Sequence, residues 1–238
     1  MSEVKVIQIN ESIFAENDRS AALIRRKLTE QGTLFLNFMS SPGSGKTSTL
    51  VALINRLKDR LNIGEMDVDI ESSLDAQRVA DRTGIRSLQI HNGGLCHIDA
   101  DMTARVLQEY DTDGLDLLIL ENIGNLVCPA EFDTGAHWNI TILSVPEGDD
   151  KPLKYPLMYR VSDVVLINKI DAMDYFDFDL DKAKERILVL NPKAIFFPIS
   201  ARTGEGLDEL CRWVLREAEA IKTLSSAGED QNNSPSGI

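Results

Sequence analysis

The sequence predicts an α/β fold of three layers, in which a mostly parallel β-sheet is covered by helices on both faces. Two features of the chain predict this fold. Short, continuous apolar runs, as expected of strands buried on both faces, alternate with stretches of helical periodicity. In addition, the length of 238 residues fits one or two domains, and a single α/β domain can account for all of it.

The elements can be assigned in order from the hydrophobic periodicity. Apolar residues from Ile13 to Leu28 recur at helical spacing, and Gly32 is suited to end that helix. Strand-like runs follow at 34–39, 66–70, 87–91, 115–122, 139–145, 163–169 and 194–200. Helical stretches lie between them at about 46–61, 74–83, 99–110, 180–190 and 205–222. We therefore predict a helical segment at 1–32 packed on a main domain at 33–223, and a polar, disordered tail at 224–238.

The composition excludes several classes of function. The chain has 25 basic and 38 acidic residues, a net charge of −13, so a general affinity for nucleic acids or anionic membranes is not expected. No apolar run approaches the ~18 residues that a membrane span needs, and the N-terminus lacks the pattern of a secretory signal. Three scattered cysteines do not form a disulfide framework. These features predict a cytoplasmic protein.

A phosphate-binding loop is the strongest motif in the sequence. Between a buried strand and a helix lie Gly43, Ser44, Gly45, Lys46, Thr47 and Ser48. Small residues allow successive backbone N–H groups to surround phosphate oxygens, and the helix N-terminus adds partial positive charge. Lys46 would reach the β- and γ-phosphates, and the Thr47 hydroxyl would ligate Mg²⁺. The motif usually starts with glycine and starts here with Ser40, and it predicts a P-loop NTPase.

A second motif indicates which nucleotide is bound. Asn168-Lys169-Ile170-Asp171 ends a strand and is similar to the guanine-reading NKxD motif of GTPases. The Asp171 carboxylate can accept hydrogen bonds from N1–H and from the exocyclic amine of guanine, and adenine has no such pair of donors on that edge. Ser200 and Ala201 follow the next strand, where GTPases place a backbone N–H against guanine O6. The residues predicted to contact the base of GTP or GDP are therefore Asn168, Lys169, Asp171, Ser200 and Ala201.

Carboxylates near the phosphate loop are candidates for holding magnesium and the attacking water. Glu121 ends an apolar strand and precedes Asn122-Ile123-Gly124, similar to the DxxG motif of GTPases with Glu in place of Asp. Asp69 ends another strand, and Asp75 follows it closely. Helix capping or a solvated loop charge is the alternative role of Asp69 and Asp75. The predicted magnesium site is Thr47, Asp69 and Glu121, and the predicted catalytic residues are Lys46, Asp69 and Asp75.

Two cysteines and a histidine form a candidate metal site. Cys96 and His97 lie in a glycine-rich loop after a strand, and Cys128 lies just beyond the loop that begins at Glu121. Because both loops follow strands of a parallel sheet, both are expected at its carboxyl edge near the nucleotide. Thiolate and imidazole ligands suit Ni²⁺ or Zn²⁺, and an incomplete ligand set from one chain would allow a metal shared across a two-fold dimer. The alternative is that the free cysteines are small buried hydrophobes, as we expect for Cys211.

Taken together, the motifs resemble those of the HypB family of hydrogenase nickel-incorporation GTPases. The segments that carry the resemblance are Gly-Gly-x-Cys-His at 93–97, Glu-Asn-Ile-Gly-Asn-Leu-Val-Cys-Pro at 121–129 and the segment 144–156, and the resemblance covers about residues 10–222. It implies a fold of the signal-recognition-particle, MinD-like class, GTP-driven dimerisation, and a metal site at the dimer interface formed by Cys96, His97 and Cys128. It also implies two protein partners, a small zinc-containing nickel metallochaperone similar to HypA and the immature large subunit of a nickel–iron hydrogenase.

The sequence therefore predicts a GTP-hydrolysing metallochaperone that delivers nickel to the hydrogenase large subunit, with GTP-dependent dimerisation coupled to metal binding and release. The chain departs from the family in two respects. Residues 1–20 contain neither Cys nor His, so a terminal nickel site is unsupported, and the family's Glu-Gly-Asp turn is replaced by Asp67-Val68-Asp69. The alternatives are a urease accessory GTPase, a metal-buffering protein with a vestigial nucleotide site, and a GTP-dependent interaction protein whose cysteines only pack.

Overall fold

The structure of the chain, a computed structural model, describes residues 9–69 and 74–232. The strands over these residues are β1 (Leu34–Ser40), β2 (Ile63–Val68), β3 (Arg86–Ile90), β4 (Leu117–Gly124), β5 (Trp138–Ser144), β6 (Val164–Asn168) and β7 (Ile195–Pro198). The helices are α1 (Ile9–Glu30), α2 (Lys46–Leu57), α3 (Leu74–Thr83), α4 (Ala100–Glu109), α5 (Lys151–Lys154), α6 (Pro156–Val161), α7 (Leu180–Leu190) and α8 (Leu207–Asn232). Over these two ranges, no helix combines the length and the apolar character that crossing a bilayer requires.

All of these strands belong to one sheet, in the order β3-β2-β4-β1-β5-β6-β7. Every neighbouring pair is parallel, and β1 lies between β4 and β5 in the middle of the sheet. Parallel pairing brings the carboxyl ends of the strands to one edge, where ligands of open α/β sheets bind. The loops that follow β1, β2, β4 and β6 therefore share the edge at which the candidate site lies.

Alternate side chains of each strand enter cores on opposite faces of the sheet. On one face, residues such as Leu36, Ile119 and Ile140 pack against apolar side chains of α2 and α8. On the other face, α1 and α4 cover one half of the sheet, and α6 and α7 cover the other half. Helices thus cover the parallel sheet on both faces, and the predicted three-layer α/β fold class is confirmed.

The structure differs from the sequence prediction in the tail and in one connection. Helix α8 continues to Asn232, into the range 224–238 for which the sequence predicts a disordered tail, and residues 233–238 lie outside the described part. Within this range, Ser225 Oγ donates a hydrogen bond to Glu30 O at 2.6 Å and ties α8 to the end of α1. The segment 151–161 forms α5 and α6, which the periodicity did not predict because both are short helices with a proline in the first turn.

His137 joins α1 to the central strand of the sheet. Its Nδ1 accepts a hydrogen bond from the backbone N–H of Phe35 at 2.9 Å, and its Nε2 lies 2.9 Å from Thr29 Oγ1. Because the Thr29 hydroxyl donates to Arg25 O at 2.8 Å, it accepts from Nε2–H, and this network assigns a neutral imidazole. Burial and the nearby guanidinium of Arg25 lower the pKa of His137 to about 4.

Acid is expected to destabilise the protein through His137. The unfolded ring takes up a proton near pH 6.5 and the folded ring only near about pH 4, so this contribution is present above pH 6.5 and is lost as the pH falls through that range. The loss should not exceed about 3 kcal/mol. In urea unfolding, we expect His137→Gln to cost less stability at about pH 4.5 than at about pH 7.5. The exposed His91→Gln is the matched control, and an equal cost of His137→Gln at both pH values would contradict this role.

Candidate nucleotide site and cysteine pair

The phosphate loop runs from Ser40, at the end of β1, to Lys46, at the start of α2. Gly43 and Gly45 have φ values of +77° and +95°, in the left-handed region that favours glycine. A side chain at Gly45 would also collide with the guanine-reading motif, because an added Cβ would lie 2.6 Å from Asn168 Nδ2. The loop borders a cavity of about 460 Å³ whose lining includes Gly43, Gly45, Lys46, Thr47, Ser48, Asp67, Asp69 and Asp75.

Lys46 and Thr47 both contact Glu121 at this cavity. Lys46 Nζ lies 2.8 Å from Glu121 Oε1, and Thr47 Oγ1 donates to the same oxygen at 2.7 Å. Glu121 lies on β4, the neighbour of β1, and its side chain is fully buried. A buried carboxylate is tolerated when it is paired and hydrogen-bonded, so these contacts hold all three side chains at the phosphate end of the sheet. The structure thus brings together three residues that the sequence analysis assigned to phosphate and magnesium.

Two further carboxylates lie beside Glu121. Asp67 on β2 is opposite Glu121 in the register of the sheet, and Glu65 lies two residues earlier on the same face of β2. One oxygen of each carboxylate lies within 4.8 Å of the others, and all three residues are buried. Each also keeps one oxygen without a hydrogen-bond partner, namely Glu65 Oε1, Asp67 Oδ2 and Glu121 Oε2. Buried carboxylate oxygens without partners are a donor set that a hard divalent cation such as Mg²⁺ would satisfy.

The electrostatics of this carboxylate cluster also fits a cation. Burial and the neighbouring Glu121 carboxylate raise the pKa of Asp67 to about 7. Burial raises the pKa of Glu65 well above its ordinary value, although the Ser87 hydroxyl donates to its Oε2. Adjacent carboxylates in a desolvated site repel one another when ionised, and a bound divalent cation would remove that repulsion. The residues present therefore fit magnesium.

Asp69 and Asp75, the carboxylates that the sequence analysis favoured, lie along the same cavity but outside the buried cluster. Asp69 follows β2, and Asp75 lies in the first turn of α3, where its Oδ1 is 2.5 Å from Arg78 Nη1. Among the described residues, the cluster beside Glu121 contains Glu65 and Asp67 instead. The roles of Asp69 and Asp75 stay predictions, and residues 70–73 between them lie outside the described part.

Sequence reasoning missed Asp67 and Glu65. The sequence favours Asp69 because it is the last acidic residue of the strand-like run 66–70. Successive side chains of a strand point to opposite faces of the sheet. Glu65 and Asp67, two residues apart on β2, therefore point to the same face, and Val68 points to the other. The available signal was this alternation of acidic residues within an otherwise apolar strand, which is unusual for a strand buried on both faces.

The guanine-reading motif borders a second cavity, of about 570 Å³, which shares Gly45 and Ser48 with the lining of the first. Asp171 lines this cavity with a side chain that is 18% exposed. Its Oδ1 accepts a hydrogen bond from Ser200 Oγ at 2.6 Å, which fixes the orientation of the carboxylate. A fixed acceptor at the wall of a cavity next to the phosphate loop is the arrangement that recognition of guanine requires.

Asn168 and Lys169 tie the second cavity to the phosphate loop. Asn168 Nδ2 donates to Ser44 O at 2.9 Å, and Asn168 Oδ1 accepts from the backbone N–H of Ala201 at 3.1 Å. Lys169 is the one non-glycine residue with positive φ among the described residues, at +63°, and its Nζ donates to Gly43 O at 2.7 Å. The predicted base-binding residues are thus brought together by contacts between three separate segments of the chain.

Cys96 and Cys128 lie against each other at the carboxyl edge of the sheet. Their sulfur atoms are in direct contact, and both cysteines are free. Cys128 opens a short 3-10 turn (Cys128–Ala130) just after β4, and the hydrogen bond with it raises the pKa of the exposed Cys96. Cys211, in contrast, is buried in α8, as the sequence predicts. Two soft ligands from loops that are distant in sequence therefore converge on one point of the surface.

The imidazole of His97 does not complete a three-ligand group with the two thiols. Its ring stacks on Phe132, with centroids 4.1 Å apart and planes inclined by 8°. Within the described residues, three or more candidate metal ligands come together in the carboxylate cluster and not in the loops that carry the cysteines. One chain thus presents a pair of thiols, and metal ligation by His97 stays a prediction.

Comparisons with known proteins agree with this geometry. The sequence model described as "CobW/HypB/UreG, nucleotide-binding domain" matches residues 35–198. The hydrogenase maturation factor HypB of Rhizobium leguminosarum bv. viciae is 44% identical over 214 residues, which are 90% of this chain and 71% of that protein. The hydrogenase/urease maturation factor HypB of Helicobacter hepaticus is 41% identical over 207 residues, which are 85% of this chain and 84% of that protein.

The fold agrees in the same way with a solved structure. The crystal structure of HypB from Helicobacter pylori in complex with nickel matches with a TM-score of 0.79 and 38% sequence identity, and the match covers 86% of this chain and 96% of that chain. The resemblance found in the motifs is therefore confirmed over most of the chain. The chain belongs to the HypB family of hydrogenase maturation factors, within the CobW/HypB/UreG group of nucleotide-binding proteins.

Proposed function

We propose that this chain is a GTP-hydrolysing metallochaperone that delivers nickel to the large subunit of a nickel–iron hydrogenase during maturation. The observation that carries this proposal is the convergence of Cys96 and Cys128 at the edge of the sheet that holds the phosphate loop. A nucleotide site alone would support many activities, whereas an adjacent pair of free thiols adds a site for a soft metal ion. The relative from Helicobacter pylori, solved in complex with nickel, supports this ion as the cargo.

The segment from Glu121 to Cys128 is the proposed link between the two sites. Glu121 contacts Lys46 and Thr47, and Cys128 follows it by seven residues. Between them, Gly124 approaches the phosphate loop so closely that an added Cβ would lie 3.3 Å from Pro42. A change in the phosphate loop on hydrolysis can therefore displace this segment and with it one of the two thiols.

The cysteine pair supports a metal shared between two copies of the chain. Two thiols leave a four-coordinate ion without half of its ligands, and a two-fold axis through the ion would supply the other half. The side chains next to the thiols are apolar and exposed, since Leu95 is 43% and Val127 is 49% exposed. A homodimer would bury these side chains and close the site around nickel or zinc. GTP-dependent dimerisation is the proposed way in which the nucleotide controls the metal.

The residues of the nucleotide site have separate proposed roles. Lys46 binds the phosphates, Thr47 and Glu121 hold magnesium together with Asp67, and Asp171 reads the base. Magnesium, when bound, supplies charge that neutralises the phosphate oxygens during transfer. Asp69 and Asp75 lie along the cavity, where either carboxylate can orient the attacking water.

The proposed setting is the cytoplasm, where thiols stay reduced, and the proposed partners follow from the family. They are a small zinc-containing nickel metallochaperone similar to HypA, which would supply the ion, and the immature large subunit of the hydrogenase, which would receive it. Neither nucleic acid nor a membrane surface is a proposed partner, because the net charge is −13.

Nickel affinity measured in two nucleotide states tests the coupling. We expect the dimer with a non-hydrolysable GTP analogue to hold nickel about 5 to 150 times more tightly than the GDP form, the usual range of coupling between sites. Cys128→Ala should weaken nickel binding by more than about a hundredfold, since loss of outer-shell partners alone costs 10- to 100-fold. The buried Cys211→Ala is the matched control. Equal nickel affinity in both nucleotide states would remove the switch from this proposal.

A second acceptor is favoured by one relative. The Helicobacter hepaticus protein is named a hydrogenase/urease maturation factor, so nickel delivery to a urease is a candidate function of this chain. Nickel transfer from the loaded chain to purified hydrogenase large subunit or to apo-urease distinguishes the two acceptors. A metal-buffering protein with a vestigial nucleotide site is the remaining alternative, and measurable GTP turnover would argue against it.

A further inference from the structure

Helix α1 contacts both of the loops that carry the cysteines. The side chain of Asn17 is the central contact, and the residue is 7% exposed. Its Nδ2 donates to Asp133 O at 3.0 Å, and its Oδ1 accepts from the backbone N–H of Ala100 at 2.8 Å. Ala100 is the first residue of α4 and lies four residues beyond Cys96, and Asp133 lies five residues beyond Cys128. One amide side chain therefore bridges the two segments whose thiols converge.

An ion pair reinforces the contact between α1 and the second loop. Arg25 Nη2 donates to both oxygens of Asp133, at 2.9 and 2.8 Å, and Arg25 Nε donates to Ala136 O at 2.9 Å. The Asp133 carboxylate in turn accepts from the backbone N–H of Gly135 at 2.8 Å. The guanidinium of Arg25 thus contacts this segment at two residues, through charge-assisted hydrogen bonds to Asp133 and a bond to Ala136 O, and these contacts hold the segment after Cys128 against α1.

Aromatic rings connect α1 to the first loop. Phe14 of α1 lies 5.5 Å from Phe132, and Phe132 stacks on His97 at 4.1 Å. His97 is the neighbour of Cys96 in sequence, and Phe132 belongs to the same segment as Asp133. The stack thus joins the two loops to each other at the surface of α1.

The loop of Cys96 has little internal structure that could hold the thiol in place. Gly93 and Gly94 both have positive φ, and Leu95 and Cys96 are exposed. Its internal side-chain hydrogen bonds come from Asn92 Nδ2, which donates to Leu95 O and His97 O. Ordering a flexible segment costs about 1–2 kcal/mol per residue, so a contact that orders the loop before the metal arrives lowers the cost of binding.

We propose that α1 is a structural part of the metal site and that Asn17 is its positioning residue. Asn17 does not bind the ion; it holds the loops of Cys96 and Cys128 in the relative position that lets both thiols reach one cation. This inference rests on the proposed metal site of the cysteine pair. By reciprocity, metal bound to the thiols stabilises the docked position of α1 by the same free energy.

Asn17→Ala tests this role against a matched variant. Gln31, just after α1, is also an amide with two hydrogen bonds, since its Nε2 donates to Asp113 Oδ1 and its Oε1 accepts from Thr112 Oγ1, away from the cysteine loops. Nickel affinity of the full chain is measured by competition with a chromophoric chelator, and the thiolate-to-nickel absorption band reports the ligands. We expect Asn17→Ala to weaken nickel binding by roughly 2- to 30-fold and to alter that band, while GDP affinity stays unchanged. Gln31→Ala should match wild type.

A second measurement keeps the inference testable if Asn17→Ala does not fold. Hydrogen exchange of the backbone amides of α1 in the wild-type chain should slow when nickel is added, and Cys128→Ala should abolish that effect. Wild-type nickel affinity in a folded Asn17→Ala variant, or unchanged exchange in α1 on nickel binding, would overturn the role of α1 and leave the cysteine site intact. A wild-type chain that binds nickel no better than Cys128→Ala would overturn the proposed function itself, and the role of α1 with it.

Discussion

Lys46→Ala is expected to weaken nucleotide binding by about a hundredfold or more and also to destabilise the nucleotide-free fold. The first effect follows because each hydrogen bond to a charged group contributes about 1.5–3 kcal/mol, and Lys46 is proposed to contact two phosphates. The second follows from the ion pair of Lys46 with Glu121, which joins Nζ and Oε1 at 2.8 Å. Glu121 is fully buried and lies beside Glu65 and Asp67. Loss of the ammonium leaves a buried carboxylate without its cation, at a cost of about 3–5 kcal/mol.

A double variant separates the two effects. Glu121→Gln removes the buried charge that Lys46 neutralises, so Lys46→Ala combined with Glu121→Gln should recover most of the lost stability. Nucleotide affinity should stay low in the double variant because the phosphates still lack the ammonium. Urea unfolding of the metal-free protein measures the first quantity, and titration with a fluorescent GTP analogue measures the second.

The exposed Lys193, between α7 and β7, supplies the control variant Lys193→Ala, which should change neither quantity by much. Wild-type nucleotide affinity in Lys46→Ala would end the assignment of the phosphate loop. Wild-type stability in that variant would contradict the role of the Lys46–Glu121 ion pair in stabilising the nucleotide-free fold.

The parts of the fold that the sequence predicted are those fixed by local pattern. Short continuous apolar runs are typical of strands buried on both faces, so the alternation of these runs with helical stretches predicted the three-layer arrangement. The order of strands did not follow, because it depends on which apolar faces match across the sheet. Helix α8 extends beyond the periodic stretch 205–222, and one contact near its end joins Ser225 to Glu30, which is far from it in the sequence.

The candidate site divides in the same way. Residues within one motif, such as Lys46 and Thr47, were found because a single turn of the chain sets their geometry. Glu65 and Asp67 were missed because their relation to Glu121 is created by the pairing of β2 with β4. The sequence placed Cys96 and Cys128 at the same edge of the sheet but did not predict that their thiols are in contact. The stacking of His97 on Phe132 could not be predicted because it depends on how the two cysteine loops pack against each other.

Asp171→Asn is expected to invert the preference of the base site from guanine to xanthine. The carboxylate can accept from N1–H and from the exocyclic amine of guanine, and a carboxamide can accept only one of these bonds. If Asp171→Asn removes one or both of the hydrogen bonds to the base, the affinity for GDP should fall by about ten-fold for one weak bond and by up to about ten-thousand-fold for two strong bonds. Xanthine has a carbonyl in place of the amine, so the amide N–H of the variant has an acceptor to pair with.

The contacts around Asp171 favour a change of specificity over a loss of folding. Ser200 Oγ, which donates to Asp171 Oδ1 at 2.6 Å, can donate equally to the amide oxygen of the variant. Arg202 is 87% exposed and lies 3.7 Å from Oδ2, so its loss as a partner costs little.

Asp174→Asn, in the same 3-10 turn but exposed, is the matched control and should bind GDP like wild type. Paired titrations with GDP and XDP measure the inversion, and a variant that loses GDP without gaining XDP would mean that Asp171 supports the loop and does not read the base.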